Sequence, residues 1–318
     1  MLLNLQLLRA IAALAVVYYH TTSQAGLNLP VSVGAHGVDL FFVISGFIIA
    51  RVAVQSPKGF LQRRIIRIVP FYWTATLVLF GVAVLMPRAL RSTRAGYVQL
   101  LCSLLFIPRD TPQAGIVPTL ILGWSLNYEM YFYLVFAVAL AIVPRLAPLL
   151  CGLAVTAIAL LIDLSGSRLP GVTFYARPIV FEFVYGISAY YMFTVFERHR
   201  GWFRERRAVR YGLWITSLLA VIFIGLEEAH GGFGLPRFIV AGVPALALVV
   251  AALTLECAYG DSARSPIVSL LGDASYVLYL IHPYIVYGLL RTLWAGHAPS
   301  RWPVAPLLNT LGSERLPV

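Results

Sequence analysis

The chain has 318 residues, 60% of them hydrophobic and 12% charged, with a mean hydropathy of +0.83. A soluble domain is about a quarter charged, so half the usual charge is missing; disorder, a disulfide scaffold and an ordinary soluble enzyme are excluded. The net charge of +11 asks for an anionic partner, and membrane burial narrows the choice to anionic lipid or a phosphate-bearing ligand, leaving out nucleic acid.

Apolar runs of about 17–25 residues predict spans at 5–21, 36–54, 68–86, 119–143, 146–163, 174–196, 211–227, 237–257 and 267–290. The fold class is therefore all-α, a polytopic transmembrane bundle of nine to ten helices in a single domain over 1–318. The first run has no basic region before it and no small-residue cleavage site after it, so the first helix is expected to stay. The run 97–107 is too short to cross. The basic segments 51–67 and 198–210 share the cytoplasmic side only if an even number of spans separates them. That makes 97–107 a surface or re-entrant segment and places the amino terminus in the cytoplasm. Segment 87–116, with Arg88, Arg91, Arg94 and Arg109, then lies outside, against the positive-inside rule. After the ninth span, 303–311 is half a span broken by Pro306, which reads as a shortened last helix or a plug for the bundle.

Ionisable groups at membrane depth default to function or to mutual pairing because an isolated charge there is costly. Six stand out: Arg9, His20, Asp39, Glu129, Glu182 and His282. Arg9 and His20 share span one, three helical turns apart and ~16 Å in rise, hence on one face. Asp39 opens span two and is placed either to orient His20 or to favour a helix N-terminus. Glu129 lies one turn from Ser125 on a shared face and is read as an outer-half carboxylate or as the partner of an arginine from another helix. Glu182 reads as an ion-pair member. His282 precedes Pro283 and is equally a filler for carbonyls freed by the proline or a pore residue. His36 sits at the outer mouth as a loop residue. The histidines show no metal spacing, so no metal is expected. Cys102, Cys151 and Cys257 also lack ligand spacing and read as packing residues. Ser45-Gly46-Phe47 is either a close helix contact or a backbone opening that lines a cavity.

Arg64 and Arg67, at i and i+3, present two guanidinium forks on one face, suited either to a ligand with several phosphates or to anionic lipid. Basic groups thus gather at the inner face, and an imidazole and carboxylates in the outer half. A polyanionic donor inside and a hydroxyl-bearing acceptor outside fit that division.

The ordered set of motifs resembles the acyltransferase-3 family of membrane O-acyltransferases, particularly members that modify exopolysaccharides. It runs through Leu5-Gln6-Leu7-Leu8-Arg9-Ala10 with Arg-x10-His to His20, and Gly37-Val38-Asp39-Leu40-Phe41-Phe42-Val43-Ile44-Ser45-Gly46-Phe47. It goes on through Arg64-x-x-Arg67 with Pro70 and Tyr72-Trp73, and Trp124-Ser125-Leu126 leading to Glu129 and Phe132-Tyr133. Glu182-Phe183 with Gly186 follows, then Ser275-Tyr276 with Tyr279-Leu280-Ile281-His282-Pro283.

The resemblance implies an inner-membrane protein that takes an acyl group, usually acetyl, from cytoplasmic acyl-coenzyme A. It delivers that group to a hydroxyl of an exported or lipid-linked glycan. Acyl-CoA is then a donor substrate rather than a resident cofactor, and the partners are acyl-CoA, the glycan or lipid-linked saccharide, and membrane lipids. Carried onto this sequence, His20 and Arg9 form the functional pair, with His20 as general base and Asp39 or Glu129 stabilising its imidazolium. Ser45, Gly46 and Phe47 line a conduit, and Arg64 and Arg67 serve the coenzyme A end. Tyr128 and Met130 flank Glu129 where many members carry a second acid, so Glu129 acts alone. Two other classes compete: a proton-coupled transporter using the intramembrane Glu, Asp and His, and an inactive scaffold for glycan assembly.

Overall fold

The computed structural model describes residues 2–24, 33–86, 96–111 and 115–293. Among these the α-helices are α1 (Leu3–Gln24), α2 (Gly37–Gln55), α3 (Phe60–Leu85), α4 (Tyr97–Leu104), α5 (Trp124–Ile142) and α6 (Ala147–Leu164). They continue with α7 (Pro170–Thr173), α8 (Val180–Arg198), α9 (Arg200–Arg204), α10 (Arg207–Ala229), α11 (Val243–Thr254) and α12 (Pro266–Leu293). A two-residue antiparallel pair, Asp110–Thr111 with Gly115–Ile116, is the sole strand pairing among the described residues. Eight helical stretches among the described residues are long and apolar enough to cross a membrane, and they coincide with the first eight predicted spans. The ninth, 267–290, falls inside the 28 residues of α12. The segment 303–311 and Arg88, Arg91 and Arg94 lie outside the described residues.

The helix α3 begins at Phe60 rather than near residue 68, so Arg63, Arg64 and Arg67 belong to a helix and not to the loop that the sequence predicts. Phe60, Arg64, Ile68, Tyr72, Thr76, Leu79 and Ala83 are its buried positions, a stripe at helical spacing that continues past Pro70. The proline removes one backbone bond but does not end the helix when packing holds both sides.

The helix α4 is too short to span, at about 12 Å, and it docks against the middle of α3. Trp73 Nε1 donates to the Leu104 carbonyl at 2.9 Å, and the Tyr72 hydroxyl to that of Ser103 at 3.2 Å. Ser103 Oγ in turn accepts from the backbone N–H of Thr119 at 2.8 Å. A Cβ on Gly123 would meet the Tyr72 ring at 2.6 Å. The helix α5 therefore starts level with the middle of α3.

The chain divides into two compact units, one of 1–48 with 181–318 and the other of 49–180, the division falling within α2. In the first unit, Leu5, Val43, Phe47, Phe193, Val249 and Leu253 belong to one buried apolar cluster. Lipid tails are as apolar as these side chains, so helix association in a membrane depends on close packing and small residues. Gly46 of α2 and Gly186 of α8 supply that approach: a Cβ on Gly46 would collide with the Phe183 carbonyl, and one on Gly186 would lie 2.7 Å from Gly46 Cα.

The helices α1 and α12 run parallel, since Gln6 meets Asp273, Arg9 meets Ser275 and His20 meets His282 in ascending order along both. Gly272 permits their contact, because a Cβ there would lie 2.7 Å from Gln6 Oε1. The first turn of α1 is capped from a distance. Glu256 accepts from the backbone N–H groups of Leu3 and Asn4 at 2.8 and 2.9 Å, placing a carboxylate on a positive helix end.

Candidate functional site

Within the first unit, Gln6 and Arg9 of α1 point at α12. Gln6 Nε2 donates to Asp273 Oδ1 at 2.7 Å, and Arg9 Nη1 donates to Gln6 Oε1 at 3.0 Å. Arg9 Nη2 donates to Ser275 Oγ at 3.0 Å, and that hydroxyl donates to the Gly272 carbonyl at 2.7 Å. Arg9 is thus held in a chain of hydrogen bonds rather than spread along lipid. Eleven residues on, the His20 imidazole is 2% exposed and stacks on that of His282, ring centroids 5.2 Å apart and planes at 29°. The structure therefore puts Arg9 and His20 on one face, and that face carries a second imidazole.

Asp39 is engaged elsewhere than at His20. Its two oxygens accept from Arg237 Nε and Nη2 at 2.8 and 2.7 Å, a bidentate pair, and the carboxylate is fully buried. Glu182, equally buried, lies 3.9 Å from Arg237 Nε. His36 stands 3.6 Å from Asp39 Oδ2 through Nδ1, and 3.1 Å from Glu228 and 3.7 Å from Glu227 through Nε2. Far from being a plain loop residue, it joins the buried pair to two acids at the end of α10. Burial works against the charge on Arg237, but the fields of Asp39 and then Glu182 outweigh it and raise its pKa above the usual guanidinium value. Arg237 is the functional-looking group the sequence reading missed. It stands at the edge of an apolar run, where an arginine passes for a flank, and its signal was an arginine on the predicted outer side facing two unpaired intramembrane acids.

One nitrogen of His36 and one oxygen each of Glu227 and Glu228 lie within 4.8 Å of one another, a donor set able to hold a divalent ion. The same spacing serves an imidazole bridging two carboxylates.

Gly46 and Phe47 are packing residues. Gly46 is spent on the α8 crossing, and Phe47 is fully enclosed with its ring edge-on to Phe193 at 5.5 Å, so neither offers a conduit wall. Ser45, on the remaining face of that turn, is half-buried.

In the second unit, Arg64 and Arg67 part company. Arg64 is 7% exposed, its guanidinium 5.7 Å from the Phe60 ring centroid and within the field of Tyr133 and Glu129. Arg67 is exposed. At i and i+3 the two stand about 60° apart around the helix, and Arg64 lies within the buried stripe while Arg67 lies just outside it, so they do not form a single exposed fork. Arg63 is occupied as well, donating to the Ser56 and Lys58 carbonyls and closing the turn before α3. Glu129 pairs with Tyr133 by a hydrogen bond and faces Arg64. It therefore stands level with the early turns of α3 instead of in an outer half, because α5 begins partway along its neighbour. Ser125 does not share a polar stripe with it, since its hydroxyl donates to the Leu122 carbonyl at 3.1 Å.

The family described as "Acyltransferase domain" matches residues 2–312. The chain is 35% identical over 280 residues to the exopolysaccharide production protein ExoZ of Rhizobium meliloti, covering 84% of this chain and 81% of that protein. It is 26% identical over 335 residues to nodulation protein 10 of Rhizobium leguminosarum bv. viciae, covering 92% and 85%. No solved structure matches it.

Proposed function

Because this multi-pass membrane protein belongs to the acyltransferase-3 family, we propose that it moves an acyl group, acetyl in the simplest case, from cytoplasmic acyl-coenzyme A to a sugar hydroxyl of an exported glycan, with His20 as general base. The likeness to an exopolysaccharide production protein supports a polysaccharide or its lipid-linked precursor as acceptor; in this reading the protein acts in the inner membrane. The observation that carries the reading is a buried imidazole on the same helix face as a hydrogen-bonded arginine.

In the reaction, the hydroxyl oxygen attacks the thioester carbonyl while its proton passes to His20. The carbon–sulfur bond then breaks, and the proton goes from His20 to the departing thiolate, giving an ester and free coenzyme A. A positioned base contributes about 10²–10⁴-fold, roughly 3–5 kcal/mol of barrier. Arg9, ~16 Å along α1, meets the pantetheine arm. In the second unit taken by itself, Arg67, exposed on α3, suits a phosphate group, and Arg64 with Glu129 and Tyr133 stiffens the helix behind it.

Asp39 acts as a positioning group. With Arg237 and His36 it anchors the start of α2, where Gly34 and Gly37 press on Ala15, Tyr19, Ala12 and Val16 of α1, the stretch that ends in His20.

Replacing His20 with Ala should remove ester-linked acyl groups from the exported polysaccharide, read by mass spectrometry, while the protein accumulates in the membrane as before. Acylation that persists would take His20 out of the chemistry. Polysaccharide that is unesterified in the parent strain would support the scaffold instead.

A further inference from the structure

His282 uses one side of its ring and leaves the other open. Pro283 follows it and has no N–H, so the carbonyl of Tyr279, four residues before the proline, loses its helical partner. His282 Nδ1 lies 2.8 Å from that oxygen and 3.2 Å from the Leu278 carbonyl. Carbonyls only accept, so Nδ1 carries the proton and Nε2 the lone pair. The ring is 2% exposed, and Nε2 makes no hydrogen bond among the described residues. A buried acceptor with no partner among the described residues is the exception in folded chains, and it is open to a partner from outside the protein. Its neighbour is the His20 ring, with centroids 5.2 Å apart, so a ligand bound at His20 lies beside the His282 ring.

Resting on the acyl-transfer reading above, we propose that His282 binds the acceptor: its Nε2 accepts a hydrogen bond from a second hydroxyl of the sugar whose first hydroxyl is deprotonated by His20. The spacing of the two rings suits oxygens on adjacent or next-but-one carbons, so the acceptor class is a 1,2- or 1,3-diol. Two imidazoles side by side then divide the work. His20 takes a proton. His282, whose tautomer is fixed by the helix backbone, fixes the orientation of the sugar. A site that reads a hydroxyl with a buried acceptor rejects analogues lacking it, because the acceptor is then left unpaired.

Two substitutions separate this from a purely structural role. The amide nitrogen of Asn at 282 occupies the place of Nδ1 and satisfies the Tyr279 carbonyl but leaves nothing at Nε2. The amide of Gln reaches the Nε2 position. With acetyl-CoA as donor and de-esterified oligosaccharide from the host polysaccharide as acceptor, His282→Asn should raise the acceptor KM by about tenfold, the worth of one hydrogen bond, with the donor KM unchanged. His282→Gln should stay near wild type. An Asn variant that behaves as wild type, a Gln variant worse than Asn, or equal losses in two folded variants would overturn the proposal. A wild-type protein that forms no ester would overturn acyl transfer itself, a separate failure. An independent measurement needs no variant: in the wild-type protein diethyl pyrocarbonate should modify His282, and the oligosaccharide should protect it. A His282 that does not react, or reacts equally with and without the sugar, would also overturn the assignment.

Discussion

Arg237 grips Asp39 through two parallel hydrogen bonds of 2.8 and 2.7 Å, across 198 residues of chain. Removing one partner of such a pair leaves the other charge buried, at a cost of about 3–5 kcal/mol; the arginine side chain is a quarter exposed, which puts this case at the lower end. Arg237→Met should therefore lower the melting temperature in detergent and the yield in membranes. Adding Asp39→Asn to it should restore part of the loss, because one stranded carboxylate becomes neutral. A double variant less stable than the single one would refute the pairing.

The same pair fixes a pH expectation. The proton of Arg237 is held more tightly folded than unfolded, so its contribution is complete below the range of a free guanidinium, above about pH 12. Alkaline melts up to pH 10 should show no loss that comes from deprotonation of Arg237 itself.

The helix crossing at Gly46 makes a sharper test of packing. A methyl group on Gly46 collides with the Phe183 backbone, whereas a Cβ on Gly81 of α3 meets nothing within 4 Å. Gly46→Ala should cost about 1–3 kcal/mol through overpacking, and Gly81→Ala should be neutral or gain up to about 1 kcal/mol from helix propensity. Equal melting temperatures for the two variants would mean that α2 and α8 do not meet there.

These residues also mark what a sequence shows and what it hides. Spans were legible because an apolar run of the right length has few alternatives in a membrane, and 97–107 was readable as non-crossing from its length and the parity of basic segments. Depth was not. Counting turns from the start of a span measures depth only if the span starts at the surface, and α5 starts beside Tyr72, which moved Glu129 to the level of Arg64. Pairing was hidden for a second reason: Asp39 and Arg237 are tertiary neighbours 198 residues apart, so the sequence offered His20 and not Arg237 as the group for Asp39 to serve. The Ser45-Gly46-Phe47 motif read two ways, and the contacts of Gly46 and Phe47 chose packing.

Arg64 and Arg67 should respond differently to the same substitution. Arg67→Gln, at an exposed position, should leave the melting temperature unchanged and raise the acetyl-CoA KM severalfold. Arg64→Gln removes a buried guanidinium from beside Glu129 and Tyr133 and should cost about 1–3 kcal/mol of stability. Matching effects on KM and stability in both variants would restore the single-fork picture.

Glu256 links a helix cap to the site. Its carboxylate satisfies two orphan N–H groups at the start of α1, two turns before Arg9. Caps of this kind are worth about 0.5–2 kcal/mol. Glu256→Ala should fray the first turn of α1 and loosen Gln6 and Arg9, so donor KM should rise. His20, about 24 Å further along the helix, should keep its stacking on His282, so saturated turnover should change little. Hydrogen exchange would read the fraying directly, as faster exchange at Leu3 and Asn4 with unchanged protection around residues 12–20. Faster exchange along all of α1 would instead mean that the cap holds the whole helix in place.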